Sequence, residues 1–272
     1  MATATELEQD WEAVLLPIAR KAGDAILEVY DRGEVVVEAK ADDSPLTQAD
    51  LASHRVIRDA LRAATPDIPV LSEESRAIPT AERRSWETLW IVDPLDGTKE
   101  FIKRNGEFTV NIALVTAGRT VAGIVHVPVT GTTYFGQAGR GAFKITADGE
   151  RAPITTRRPE AGEPVKVVAS RSHMSPETEA FVARLGPSEL VSSGSSLKFC
   201  LVAEGTAHLY PRLAPTMEWD TAAAQAVLEA AGGAVLRYED RMPLDYNREE
   251  LLNPFFIATA DAAWHPENPE NP

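Results

Sequence analysis

The chain of 272 residues contains one cysteine, Cys200. An internal disulfide is therefore excluded, and a reducing compartment fits. Long apolar runs are missing too: nothing approaches the ~20 consecutive apolar residues of a membrane-spanning helix. Met1 to Asp10 is acidic and polar, without the basic and apolar regions of a signal peptide. Basic residues are scarce, 27 Lys and Arg against 41 Asp and Glu, for a formal net charge of −14. The longest basic cluster is Arg157-Arg158, so the chain repels nucleic acid. These absences predict a cytoplasmic protein with no nucleic-acid partner and no transmembrane segment. Peripheral contact with an inner membrane and assembly as a homodimer are left open. An acidic chain can still take a phosphate compound if metal ions supply the positive charge, which directs attention to clustered carboxylates.

Hydrophobic residues make up 44% of the chain, enough for one large domain or two closely joined lobes. Leu7 to Tyr30 reads as an amphipathic helix, with Trp11, Leu15, Ile18, Ala22, Ile26 and Val29 on one face. Glu34 to Ala39 reads as a short strand, and Gln48 to Ala64 as a second helix. Strands are expected at Ile68–Leu71 and Leu89–Val92. Phe108–Val115, Val121–Val127 and Thr132–Phe135 form a meander. Polar Ala147 to Gly162 reads as a loop at a lobe boundary. Beyond it come strand Val165–Ala169, helices Pro176–Leu185 and Ser196–Glu204, strand Ala207–Tyr210, and helix Thr221–Ala231 closed by Gly232-Gly233. Strands Ala234–Tyr238 and Phe255–Ala260 finish the fold. The expected organisation is an N-terminal lobe over 1–150, a C-terminal α/β lobe over 151–262 and a disordered tail over 263–272. Helices, then a sheet, then mixed elements predict a layered α+β architecture.

Three acidic segments carry chemistry. In Trp90-Ile91-Val92-Asp93-Pro94-Leu95-Asp96-Gly97-Thr98 an apolar strand runs into two aspartates. Pro94 fixes the backbone and Gly97 permits a tight turn. Two carboxylates at the end of a rigid strand can face one point, and hard cations such as Mg²⁺ want oxygen ligands. Gly97 and Thr98 would then open a turn whose N–H groups point at an anion. Ser72-Glu73-Glu74-Ser75 also follows a short apolar strand, and Trp219-Asp220-Thr221-Ala222-Ala223 sets an aspartate before an apolar helix. Taken singly, each has a plainer reading: a charged turn, a solvated loop, a helix N-cap. Asp50 likewise fits a capping box in Thr47-Gln48-Ala49-Asp50. Their combination in this order is the signal.

That combination resembles the inositol monophosphatase superfamily, whose members carry a Glu-Glu motif, then D-P-[LI]-D-G-[TS], then W-D-x-[AG]-[AG]. The run Lys99–Leu114, together with Ser44–Asp50, Ser170–His173 and Gly194–Gly205, is similar to the bacterial 3'(2'),5'-bisphosphate nucleotidase branch, the CysQ type. The resemblance spans about Leu15 to Phe256. It implies an αβαβα sugar-phosphatase-like fold and a Mg²⁺-dependent phosphatase. By the resemblance, Glu73, Asp93 and the Leu95 carbonyl hold a first ion, and Asp93, Asp96 and Asp220 a second. Asp50 and Thr98 orient the attacking water, sometimes with a weaker third ion; with Glu73 they form the catalytic set. Gly97 and Thr98 hold the phosphate, and Ser195, Lys198, Arg212 and His173 contact the rest of a nucleotide. The implied reaction is hydrolysis of adenosine 3',5'-bisphosphate to AMP and phosphate, a clearance step in sulfur metabolism. Inositol monophosphate or fructose bisphosphate are the alternative substrates. A non-catalytic nucleotide or metal sensor would be expected to have lost a ligand carboxylate, and none is lost here. Cys200, inside an apolar helix, is expected to pack in the core.

Overall fold

The computed structural model describes residues 9–32, 37–39, 45–75, 78–169, 174–264 and 266. Helix α1 (Trp11–Arg32) turns its apolar stripe inward, and Trp11, Leu15, Ile18, Ala22 and Ile26 are buried. The short strands β1 (Val37–Ala39) and β2 (Pro45–Thr47) pair antiparallel. The expected strand residues 34–36 lie outside the described residues. Helix α2 (Gln48–Ala64) matches the expected span and starts at its capping box, with Thr47 as N-cap.

A seven-stranded sheet follows, ordered β3-β4-β5-β6-β7-β8-β9. Its strands are β3 (Val70–Ser72), β4 (Thr88–Asp96), β5 (Thr109–Thr116), β6 (Arg119–Val127), β7 (Thr132–Gln137), β8 (Gly141–Ile145) and β9 (Arg151–Ile154). Helix α3 (Thr80–Arg83) precedes β4, and α4 (Thr98–Lys103) links β4 to β5. The stretch expected as a loop over Ala147–Gly162 contains β9. This strand pairs with β8 through Ala142↔Ile154, so the first sheet runs past residue 150. Its residues are largely exposed and show no alternation, which hides an edge strand from a period-2 reading.

The second sheet has five strands, ordered β11-β10-β12-β14-β13. They are β10 (Val165–Ala169), β11 (Ser188–Ser192), β12 (Leu209–Arg212), β13 (Ala234–Arg237) and β14 (Phe256–Thr259). Three helices accompany it: α5 (Pro176–Val182), α6 (Leu197–Ala203) and α7 (Ala222–Ala230). Helices α1 and α2 cover one face of the large sheet, burying Trp11 edge-on to Trp90 at 5.4 Å between ring centroids. Helices α6 and α7 lie between the two sheets, and α5 packs against β12. The layers are thus helix, sheet, helix, sheet, helix. Contact between α7 and the large sheet is close because Gly123 and Gly136, paired across β6 and β7, lack side chains. A Cβ on Gly123 would meet the Ala223 carbonyl oxygen at 2.4 Å, and one on Gly136 the Val227 Cα at 2.5 Å. The disordered tail expected from 263 starts too early: Trp264 is buried, with its indole edge-on to the buried His208 at 6.4 Å. Residues 267–272 lie outside the described residues.

Candidate active site

Strand β4 carries the D-P-L-D segment. In a regular strand residues three apart face opposite sides. Here pairing with β5 is regular as far as Asp93↔Asn111, then shifts, and resumes at Asp96↔Thr109. The irregularity falls on Pro94 and Leu95, where a proline costs no ladder bond. It turns Asp96 back toward Asp93, and the two carboxylates interact. The segment is pinned on both flanks: Ser53 Oγ donates to the Pro94 carbonyl at 2.7 Å, and the Leu95 N–H donates to Asp93 Oδ1 at 3.0 Å. The Leu95 carbonyl faces the hydroxyl of Thr98 at 3.5 Å.

Glu73 leaves β3 in a turn, its N–H donating to the Val92 carbonyl at 3.1 Å, which holds it beside the end of β4. Asp220 ends a 3-10 turn, Glu218–Asp220, just before α7. One Asp220 oxygen accepts the Met217 N–H at 2.8 Å. Asp50 divides its oxygens between two tasks. Oδ2 accepts the Thr47 N–H at 2.8 Å and the Thr47 hydroxyl at 2.5 Å, completing the capping box, while Oδ1 faces the Thr98 hydroxyl at 3.4 Å. The structural and the chemical reading of Asp50 are therefore compatible.

Burial is the main force acting on this group. It pushes the Asp93 carboxyl well above its ordinary range, and Glu73, Asp96 and Asp220 push it further, Glu73 also through a shared hydrogen bond. Asp220 is pushed up to about 7, by burial first and then by Asp96. Carboxylates from three segments thus crowd one region and repel one another. Among the described residues, no three acidic, His or Cys side chains stand close enough together to cage an ion unaided. The donors are hard oxygens, the type that Mg²⁺ takes, and a cation would remove the repulsion that holds them apart. In kind the residues fit such an ion.

Beside the carboxylates opens a cavity of about 260 Å³. Asp96, Gly97 and Asp220 line one part of it, and Ser195, Lys198 and Arg212 another. Gly97 has φ 92° and caps α4; a Cβ there would sit 3.3 Å from that of Ser195 and 3.2 Å from the Glu107 carbonyl oxygen. Lys198 is buried, donates to the Ser195 carbonyl at 2.6 Å and lies 5.6 Å from the Tyr210 ring centroid. Burial lowers its pKa, Asp96 opposes that, and Arg212 adds to it. Arg212 donates to the Pro215 carbonyl at 2.8 Å, while its Nε and the Ser195 hydroxyl are buried with no partner. His173 lies outside the described residues. Cys200 is fully buried, in the core as expected.

Two residues of this region escape the motif reading. Ser196 Oγ donates to Asp96 Oδ2 at 2.6 Å and approaches the Asp220 carbonyl at 2.9 Å. Asn111 Nδ2 reaches Ser196 Oγ at 2.9 Å and Asp96 Oδ2 at 3.3 Å. Asn111 is a polar interruption in the apolar run of β5, the one signal that could have drawn notice. Lys103, Asn105 and Glu107 also line the cavity.

Comparison with known proteins gives a consistent result. The pattern of the inositol monophosphatase family matches residues 7–265. The chain is 52% identical over 242 residues to the 3'(2'),5'-bisphosphate nucleotidase CysQ of Escherichia coli, covering 88% of this chain and 95% of that protein. It is 52% identical over 245 residues to the protein of the same name from Salmonella typhimurium, covering 89% and 96%. Among solved structures, CysQ from Bacteroides thetaiotaomicron superposes with a TM-score of 0.79 at 47% identity, covering 93% of this chain and 97% of that one.

Proposed function

Because the chain belongs to the inositol monophosphatase family, we propose that it is a 3'(2'),5'-bisphosphate nucleotidase, hydrolysing the 3'-phosphate of adenosine 3',5'-bisphosphate to AMP and phosphate. The observation that carries this reading is the pairing of two opposite environments. Buried Asp93 is surrounded by Glu73, Asp96 and Asp220, and the adjoining cavity bears Lys198 and Arg212. A substrate with two phosphates suits such a site, one facing the carboxylates through cations and one facing the cationic side chains.

Glu73, Asp93 and the Leu95 carbonyl would hold one Mg²⁺, and Asp93, Asp96 and Asp220 a second, while Asp50 and Thr98 would serve a weaker third. Bound Mg²⁺ supplies charge neutralisation for the transferring phosphoryl group and lowers the pKa of water. The chain's own part is positioning and proton handling. Thr98 Oγ1, held between Asp50 and the Leu95 carbonyl, aligns the attacking water, and Asp50 Oδ1 accepts its proton through that hydroxyl. Asp50 can do so without releasing α2, since Oδ2 alone serves the cap. Gly97, with no Cβ, lets the phosphate approach the backbone at the start of α4. Ser195 and Arg212 offer unpaired polar atoms to the second phosphate, and Lys198 adds charge.

No helix among the described residues is long and apolar enough to cross a membrane; a cytosolic location accords with the single free thiol, and a role in sulfur metabolism with the CysQ relatives. The test is a phosphate-release panel with Mg²⁺ over adenosine 3',5'-bisphosphate, its sulfated analogue, inositol 1-phosphate and fructose 1,6-bisphosphate. Faster turnover of the two nucleotides is the expected result. Preference for either sugar phosphate would overturn the substrate assignment and leave the phosphatase reading standing.

A further inference from the structure

Behind the turn that presents Asp220 lies a buried ionic network that the reaction does not use. Glu218, two residues before Asp220, is fully buried. Its two oxygens are both occupied: Oε2 accepts the Asn247 N–H at 2.7 Å, and Oε1 accepts the Arg248 N–H at 3.0 Å with the Arg248 guanidinium at 3.5 Å. Asn253 ties the same turn from the other side, its Nδ2 donating to the Met217 carbonyl at 2.8 Å and to the Thr221 hydroxyl at 3.1 Å. Asn247 then reaches across to the segment that follows Glu73. Its Oδ1 accepts from the buried Arg83 at 2.7 Å, and its Nδ2 donates back to the Arg83 carbonyl at 3.0 Å. Asn247 sits at φ 58°, a left-handed conformation fixed by these contacts.

A buried carboxylate with every oxygen engaged cannot shift without leaving several partners unpaired, so the turn carrying Asp220 has one height relative to β4. Asp93 and Asp96 are fixed from β4, by its irregularity and flanking bonds, and Ser196 Oγ links Asp96 to the Asp220 carbonyl. Asp220 is therefore held from behind by the Glu218 network and Asp93 by β4, with Ser196 linking the two halves. We propose that Glu218 is a positioning residue for the cation shared by Asp93, Asp96 and Asp220, and that it governs the affinity of that ion without governing the ion on Glu73 and Leu95. This rests on Asp220 being a ligand, as proposed above.

The test uses the full chain and Mn²⁺ as probe, titrated by calorimetry, with unfolding midpoints measured in chelator. Asp220→Asn identifies which binding event involves Asp220. Glu218→Gln keeps the shape of the side chain but offers a donor where two N–H groups need acceptors. It should weaken that same event roughly ten- to a hundredfold and leave the other within about twofold, as loss of a supporting partner does. Asn247→Gly keeps the left-handed backbone, removes the tie to Arg83 and should weaken the same event less. Unchanged binding in Glu218→Gln, or equal weakening of both events, overturns the proposal. If Glu218→Gln does not fold, Asn247→Gly is read alone: selective loss supports the positioning role, and even loss or none overturns it. A wild-type chain that binds no Mn²⁺ removes the ion site itself and Glu218's role with it, whereas a wild-type chain with two events and an unaffected Glu218→Gln removes only the latter.

Discussion

The carboxylate cluster, an acidic wall that reaches the cavity through Asp96 and Asp220, and the basic wall of that cavity are built on opposite plans. On the acidic wall the ligand candidates are tied down by neighbours: Asp93 by the Leu95 N–H, Asp96 by Ser196, Asp220 by the Met217 N–H. On the basic wall, Ser195 Oγ and Arg212 Nε are buried with no partner. Crowded carboxylates suit a cation, and buried donors without a protein partner suit an anion. The difference teaches that preorganisation here means fixed geometry on one side and reserved hydrogen-bonding capacity on the other.

The largest effect should come from breaking the acidic wall. Asp93→Asn should lower phosphate release by about 10³-fold or more, the scale of removing a central electrostatic group. In chelator, at a pH high enough to ionise Asp93, the same variant should melt higher than wild type, because a buried repulsive charge is gone. Loss of activity together with a lowered chelator melting point would instead mean that Asp93 supports the fold. Next is the cation itself. Mg²⁺ at about a hundred times its Kd should stabilise the wild-type chain by ~2.7 kcal/mol, a rise of roughly 5–10 °C in Tm. A melting point indifferent to Mg²⁺ would argue against a preformed site.

The basic wall should respond differently. Lys198→Ala should cost the bisphosphate nucleotide roughly ten- to a hundredfold in kcat/KM, the value of a charge-assisted contact of ~1.5–3 kcal/mol, and spare a monophosphate substrate. Equal loss on both would move Lys198 to the scissile phosphate or to the fold. The last effect lies outside the cavity and serves as the contrast. His126, packed against Gly23 of α1 and bonded to Thr133 at 2.8 Å, has its pKa pushed down to about 4 by burial. Between its ordinary value near 6.5 and 4, the unfolded chain binds a proton that the folded chain refuses, so stability falls as pH drops. From pH 7 to pH 5 this amounts to about 2 kcal/mol. His126→Gln should lose that part of the dependence, read from urea midpoints at the two pH values; an unaltered slope would place the titration elsewhere.

The acidic wall was far more legible in the sequence than the basic one. Glu73, Asp93, Asp96 and Asp220 stand at strand ends or a helix start, so local motifs locate them. The capping box announced α2 to the residue, because Thr47 and Asp50 settle the start within four positions. The turn of Asp96 back toward Asp93 was not legible: β4 was expected to stop at Val92, and only pairing with β5 reveals that it resumes after Pro94-Leu95. Ser196 and Asn111 meet across a separation of 85 residues, which no local pattern encodes. Strands β9 and β11 escaped because their side chains are mostly exposed and do not alternate. The tail boundary failed at Trp264, which packs into the core beside a histidine brought close only by the fold.

The glycine pair Gly123 and Gly136 has a consequence for chemistry as well as for packing. Helix α7 begins immediately after the turn that carries Asp220 and rests on bare backbone at those two positions. Layer thickness at that point therefore acts as a spacer, setting how far Asp220 stands from the strand that carries Asp93 and Asp96. One added methyl at either glycine would thicken the spacer and draw Asp220 away from its neighbours. The spacing of these carboxylates is gauged, some distance from them, by two absent side chains.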